Sequence, residues 1–239
     1  MKISFLTENF YKDKLLKRRH KAFTLAEILL TLVIIGTVAA LTIPALIQNT
    51  QNAQYVAALK KSYAILGQAQ TMLFADNMDM VSLFSQNTDP GNAMNVFAAK
   101  LNVATNCGDT GVGCFPNSNY TYLNGALWIN FAFVNGCGNI VLADGSILAL
   151  SPMSSTCNVN EGNGALVNTC GSFAIDVNGA KPPNQMGRDV FLFWVTKTSI
   201  VPFGAPGDGF YCNPNGGSLP YTQGHGCAQN ILTNGAMNY

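Results

Sequence analysis

The sequence predicts an α+β protein: a long N-terminal helix, membrane-embedded over its first half, packed against an antiparallel β-sheet head. Three observations predict it. Residues 28–47 form an uncharged apolar run of 20 residues. At about 1.5 Å rise per residue such a helix covers roughly 30 Å, the thickness of a bilayer's hydrocarbon core. Beyond it, Tyr55, Leu59, Ser62, Leu66, Ala69 and Leu73 recur at spacings of 3 and 4, the stripe of an amphipathic helix. Further on, short alternating segments separated by Gly, Asn and Pro read as strands and turns.

Three regions follow: 1–22, a basic leader; 23–77, one long helix; and 78–239, a β-rich head. The leader holds seven Lys/Arg against Glu8 and Asp13, net +5, whereas 23–239 holds six against ten acids, net −4. A positive segment before an apolar span stays cytoplasmic. With no basic cluster later in the chain, direct nucleic-acid binding is not expected.

In the helix, Glu27 is the only charge between Phe23 and Ile47. A carboxylate so close to a membrane span is by default functional and has a partner. The apolar run exceeds a secretory signal core and lacks an Ala-x-Ala cleavage site. A plain signal anchor explains the length but has no use for Glu27. In the second half of the helix, Lys60, Lys61, Gln68 and Gln70 are expected off the apolar stripe. Residues 72–80, rich in Met, read as core filling.

The head opens with a turn at 87–91 (Asn-Thr-Asp-Pro-Gly) and a short helix at 93–103. A Gly-rich loop joins Cys107 to Cys114, spaced for a local disulfide; no Lys-Ser/Thr follows, so it is not a phosphate loop. Strands are expected at 126–134, with Leu127, Ile129, Phe131 and Phe133 alternating around Trp128, and at 139–143 and 146–150 around the Asp144-Gly145 turn. Two more lie at 172–177 and 189–196, with another at 199–203. A sheet of four or five strands results, with one wet and one dry face. Residues 204–239 lack the apolar content to pack by themselves.

All seven cysteines lie between Cys107 and Cys227, with no Cys-x-x-Cys pair. Behind an anchor this fits disulfides in an oxidising compartment rather than a zinc site. For Cys137, Cys157 and Cys170 the spacing decides nothing; our choice is Cys157–Cys170 with Cys137 left over. Catalysis is not expected: His20 and His225 are the only histidines, and no nucleophile motif accompanies them, although His225 could meet a Ser or Cys in space. The loop from Asp176 to Asp189 offers Asp176, Asn178, Asn184 and Asp189 as oxygen ligands for Ca²⁺, without EF-hand spacing. The favoured reading is a hydrogen-bonded structural loop, in which Lys181 and Arg188 are also available to pair with the two acids. No other cofactor is expected.

The residues from Lys21 to Glu27, Lys-Ala-Phe-Thr-Leu-Ala-Glu, with the apolar run behind them, resemble the prepilin cleavage and methylation motif of type IV pilins and type II secretion pseudopilins. The resemblance covers about 30 N-terminal residues. It implies that a prepilin peptidase cuts between Ala22 and Phe23 and methylates the new Phe23 amine. Glu27 then becomes the fifth residue and serves subunit assembly, and Gly36 and Pro44 weaken the helix. The family usually has Gly before the cut, where this chain has Ala22. Pilins often close their C-terminal region with a disulfide, which favours Cys212–Cys227, and some pseudopilins hold Ca²⁺ in a loop near the C-terminus. The implied protein is a non-enzymatic filament subunit. It waits as a single-pass inner-membrane protein with an extracytoplasmic head. It then joins a pilus or periplasmic pseudopilus through other subunits and an inner-membrane assembly platform. A membrane-anchored protein that binds a ligand or DNA is the alternative, and a DNA-uptake pseudopilin a third.

Overall fold

The computed structural model describes residues 23–115, 119–129, 136–213 and 223–239. The leader, with Ala22 and His20, and the expected strand residues Phe131 and Phe133 lie outside them. The chain divides into two units, 1–47 and 48–239.

Within the first unit, the start of helix α1 (Leu25–Ala75) exposes its apolar side chains; Leu25 and Leu41 are 77% and 81% exposed. Such a surface is unfavourable in water and needs lipid or other apolar helices around it. Its hydroxyls are satisfied inside the helix: Thr31, Thr37 and Thr42 donate to Ile28 O, Ile34 O and Val38 O at 2.9–3.0 Å. The helix runs continuously through Gly36 and Pro44. Pro44 therefore acts as one missing backbone donor rather than a break.

In the second unit the six stripe residues of α1 are all buried, from Tyr55 to Leu73. They cover one face of an antiparallel sheet of six strands: β1 (Val103–Gly108), β4 (Gly138–Leu142), β5 (Ile147–Pro152), β6 (Thr169–Asp176), β7 (Val190–Thr196) and β8 (Ile200–Pro202). They lie in the order β1-β4-β5-β6-β7-β8. A two-stranded piece, β2 (Tyr120–Thr121) with β3 (Leu127–Ile129), stands apart. Tyr63 of α1 stacks on Phe193 of β7, ring centroids 5.7 Å apart. Gly145 (φ +88°) turns the β4–β5 hairpin in a conformation few side chains tolerate.

Gln70 corrects the expected face. It is buried, and its Nε2 donates to Thr196 O at the end of β7. A polar amide can sit on the dry stripe when it satisfies a buried carbonyl. Met80 is buried as core filling, but Met72 is half exposed.

The sheet has more strands than expected, and its second face is not wet over β7. There Phe191, Phe193 and Val195 face the α1 core, while Val190, Leu192 and Trp194 face a second core with Leu166, Met186 and Phe203. Alternation sends successive side chains to opposite faces, so two covers make β7 apolar throughout. Trp194 stacks on Phe203 with centroids 3.9 Å apart, and its indole N–H donates to Asp208 Oδ2.

Two short helices precede the sheet. α2 (Met80–Gln86) is capped by Asp79, and α3 (Pro90–Ala98) by Asp89 with Pro90 at its start. The helix expected at 93–103 therefore begins earlier and stops at Ala98, and Val103 opens β1. The tail does contribute to packing: α4 (Cys227–Asn234) inserts Ala228 and Ile231 into the main core and ends at Gly235.

Three disulfides are present: Cys107–Cys114, Cys157–Cys170 and Cys212–Cys227. Cys137 is buried outside these bonds, its thiol hydrogen-bonded to Ser151, and burial holds its pKa above the usual thiol value.

Candidate functional site

Two places gather the functional candidates. The first is the start of α1. Phe23 is exposed and immediately precedes Thr24, whose hydroxyl accepts the Glu27 N–H at 3.2 Å. Glu27 Oε2 in turn accepts the Thr24 N–H at 2.8 Å and its hydroxyl at 3.0 Å. This reciprocal capping box satisfies helix donors that otherwise have no partner. A Thr-x-x-Glu pattern was its sequence signal, and Thr24 is the residue that reading by charge alone misses. Only one carboxylate oxygen is used. Oε1 faces no partner among the described residues, so the carboxylate can cap its own helix and still receive a second donor.

The second place is the loop from Asp176 to Asp189. β6 ends at Asp176 and β7 begins after Asp189, so antiparallel pairing carries the two acids to one end of the sheet. Both are buried. Tyr120 donates to Asp176 Oδ2 at 2.9 Å, and the Asn178 N–H to Asp176 Oδ1. Asp189 accepts the N–H groups of Asn184 (2.8 Å) and Gln185 (2.6 Å). Asn178 Nδ2 donates to Lys181 O, Pro182 O and the Tyr55 hydroxyl. Burial, with the charge of Asp189, pushes the Asp176 pKa up to about 8 against the pull of Tyr120 and the backbone donors. Burial also raises Asp189, with its backbone donors opposing. Neither Lys181 nor Arg188 forms an ion pair with these acids among the described residues, contrary to the expected pairing. Lys181 is exposed instead, and Arg188 is half-buried at a polar cavity.

Asn178 Oδ1 is buried without a hydrogen-bond partner beside these carboxylates. In that respect the loop fits a hard cation. Yet no group of three or more His, Cys, Asp or Glu side chains gathers for a metal among the described residues.

His225 sits among aromatic rings, its centroid 5.6–5.8 Å from those of Phe210, Trp128 and Tyr122. Its Nδ1 is buried without a partner, and burial lowers its pKa to about 4. No Ser or Cys nucleophile is paired with it among the described residues. The neutral ring acts here as an aromatic packing element.

Residues 17–43 match the family model described as the prokaryotic N-terminal methylation motif. This is the signature of type IV pilins and pseudopilins, and the apolar helix behind it is long enough to cross a membrane by length and composition. The match ends at residue 43 and says nothing of the head. No curated protein and no solved structure matches the chain.

Proposed function

We propose that the chain is a structural, non-enzymatic subunit of a type IV pilus or type II secretion filament. The observation that carries this reading is the methylation motif over 17–43, on an exposed apolar stretch of α1 whose only charge up to Ile47 is Glu27. Before processing, the chain is held in the inner membrane with its head outside. The leader 1–22 is removed by a prepilin peptidase between Ala22 and Phe23, and the new amine is methylated. The ammonium at Phe23 and the carboxylate at Glu27 each carry a cost of several kcal/mol in lipid when uncompensated. Pairing the Phe23 amine of one subunit with Glu27 of its neighbour neutralises both and sets the register. Such a head-to-tail contact does not close on itself and so grows a helical filament, with an inner-membrane platform feeding subunits to its base. The exposed start of α1, with the Phe23 amine and Glu27, then forms the filament core, and the heads coat its surface. Intact-mass spectrometry of the mature chain tests cleavage: a chain still starting at Met1 rejects it. Glu27→Ala tests assembly: incorporation into filaments at the wild-type level rejects the pairing role. A plain anchored ligand- or DNA-binding protein needs neither result.

A second reading concerns Ca²⁺, favoured by the orphaned Asn178 Oδ1 beside two buried acids. Asp176, Asn178, Asn184 and Asp189 would hold the ion, which would compensate their charge. Thermal unfolding with and without millimolar Ca²⁺ decides: an unchanged midpoint removes this reading.

A further inference from the structure

Where the apolar run stops, the head opens a small polar cavity of about 190 Å³. Its walls include Gln48 and Asn52 on α1, Gln185 and Arg188 on the 176–189 loop, and Tyr239. Gln48 is the residue after Ile47, and Asn52 lies one turn further on, so the two share a helix face. If residues 28–47 cross the bilayer, chain connectivity holds Gln48, in this wall, next to the headgroups.

The cavity presents donors and a cation. The Arg188 guanidinium forms no ion pair among the described residues, and the carboxamides of Gln48 and Asn52 make no hydrogen bond among them. The neighbouring acid does not cancel the charge by contact, because Asp189 is buried with its oxygens taken by the N–H groups of 184 and 185. The loop that carries Arg188 is fixed. Its N–H donates to Gln185 O, and Gln185 Nε2 is tied to Tyr122 O and Leu123 O. Gly187 (φ +79°) lies so close to Cys227 Sγ that a Cβ there would approach it to 2.8 Å, and Gly187 O accepts the Tyr239 hydroxyl.

We propose that this cavity binds the phosphodiester of an anionic lipid headgroup, with Arg188 as the charged contact and Gln48 and Asn52 as neutral donors. A planar guanidinium matches phosphate oxygens with paired donors. The rest of the head does not supply this attraction: residues 48–239 hold six Lys/Arg against nine acids. Recognition is therefore local and fixes the rotation of the unassembled subunit at the membrane surface. The proposal rests on the membrane-span reading above.

The test uses the full chain in detergent, titrated with phosphatidylglycerol or phosphatidylcholine, with bound lipid counted by native mass spectrometry. Phosphatidylglycerol binds more tightly, and Arg188→Gln weakens it about fivefold, the effect of one basic contact at an anionic surface. Lys181→Gln, on the same loop but outside the cavity, leaves it unchanged. Asn52→Glu, which puts a carboxylate in the α1 wall of the cavity, abolishes the preference without touching the loop. Equal binding of both lipids, an equal loss in the two cation variants, or binding of inorganic phosphate without lipid preference overturns the assignment. Insertion into phosphatidylcholine nanodiscs is a separate readout. Its failure strikes the membrane-span reading, whereas loss of headgroup preference alone strikes only this site.

Discussion

Tyr120 donates its phenolic hydrogen to Asp176 Oδ2 across 2.9 Å, joining β2 to the end of β6 with both groups buried. The Tyr120 phenol is in turn held well above its usual pKa, first by burial and then by Asp176. Asp176 binds its proton up to about pH 8 in the folded protein, against an ordinary value of 3.8. Between those values the native state holds more protons than the unfolded chain. This contribution to stability is full below about pH 4 and is lost as pH rises through 8. Asp176→Asn keeps an acceptor for Tyr120 and removes the titration. Its urea midpoint should fall less than the wild-type midpoint between pH 5.5 and 8.5. Parallel profiles would show that Asp176 is ionised throughout.

His225 acts with the opposite sign. Its folded value of about 4 lies below the ordinary 6.5, because burial disfavours the imidazolium. The unfolded chain binds the extra proton, so the contribution is present above about pH 6.5 and lost as pH falls through 4. His225→Phe fills the same aromatic niche and removes the unpartnered Nδ1. The stability gap in favour of this variant should widen from pH 7 to pH 4.5. A constant gap would mean that packing alone separates the two proteins.

Some of this was legible in the residues. The 3-and-4 spacing from Tyr55 to Leu73 marks the buried helix face because a helix brings those positions to one side. The Asp144-Gly145 turn marks its hairpin because only a few residues accept that backbone. β1 was hidden: Val-Ala-Thr-Asn-Cys-Gly is an edge strand with two register shifts, and its exposed side chains leave no alternation to read. α4 was hidden among Gly and Asn residues, since its core contacts, Cys227, Ala228 and Ile231, mean nothing until the sheet is in place. At the site, Glu27 is conspicuous as one charge in an apolar run. The cavity at Arg188 is not, because α1, a loop and the chain's last residue meet there only after folding.

Gln70 makes a bond that polarity alone conceals. Removing its side chain strands Thr196 O in the core, and an unsatisfied buried acceptor costs about 1–3 kcal/mol. Gln68, exposed two positions earlier, should tolerate alanine within about 0.5 kcal/mol. Chemical denaturation of Gln70→Ala and Gln68→Ala compares them directly. Equal effects would mean that the bond to Thr196 adds nothing beyond surface polarity.

Cys212–Cys227 ties α4 back to the segment that follows Phe210, across 15 positions of sequence. α4 has eight residues, too few to be stable as an isolated helix. It is held by Ala228 and Ile231 in the core and by this covalent link. Closing a loop of that size lowers the entropy of the unfolded chain by an amount equivalent to roughly 3 kcal/mol. Replacing both cysteines with serine should reduce unfolding stability by about that amount, and serine hydroxyls in the buried place of Cys227 add to the loss. Hydrogen exchange should rise first over 227–239 and leave the β5–β6–β7 centre protected. A uniform rise across the sheet would mean that the tail and sheet unfold as one cooperative unit, and that the disulfide stabilises the whole head rather than its last helix.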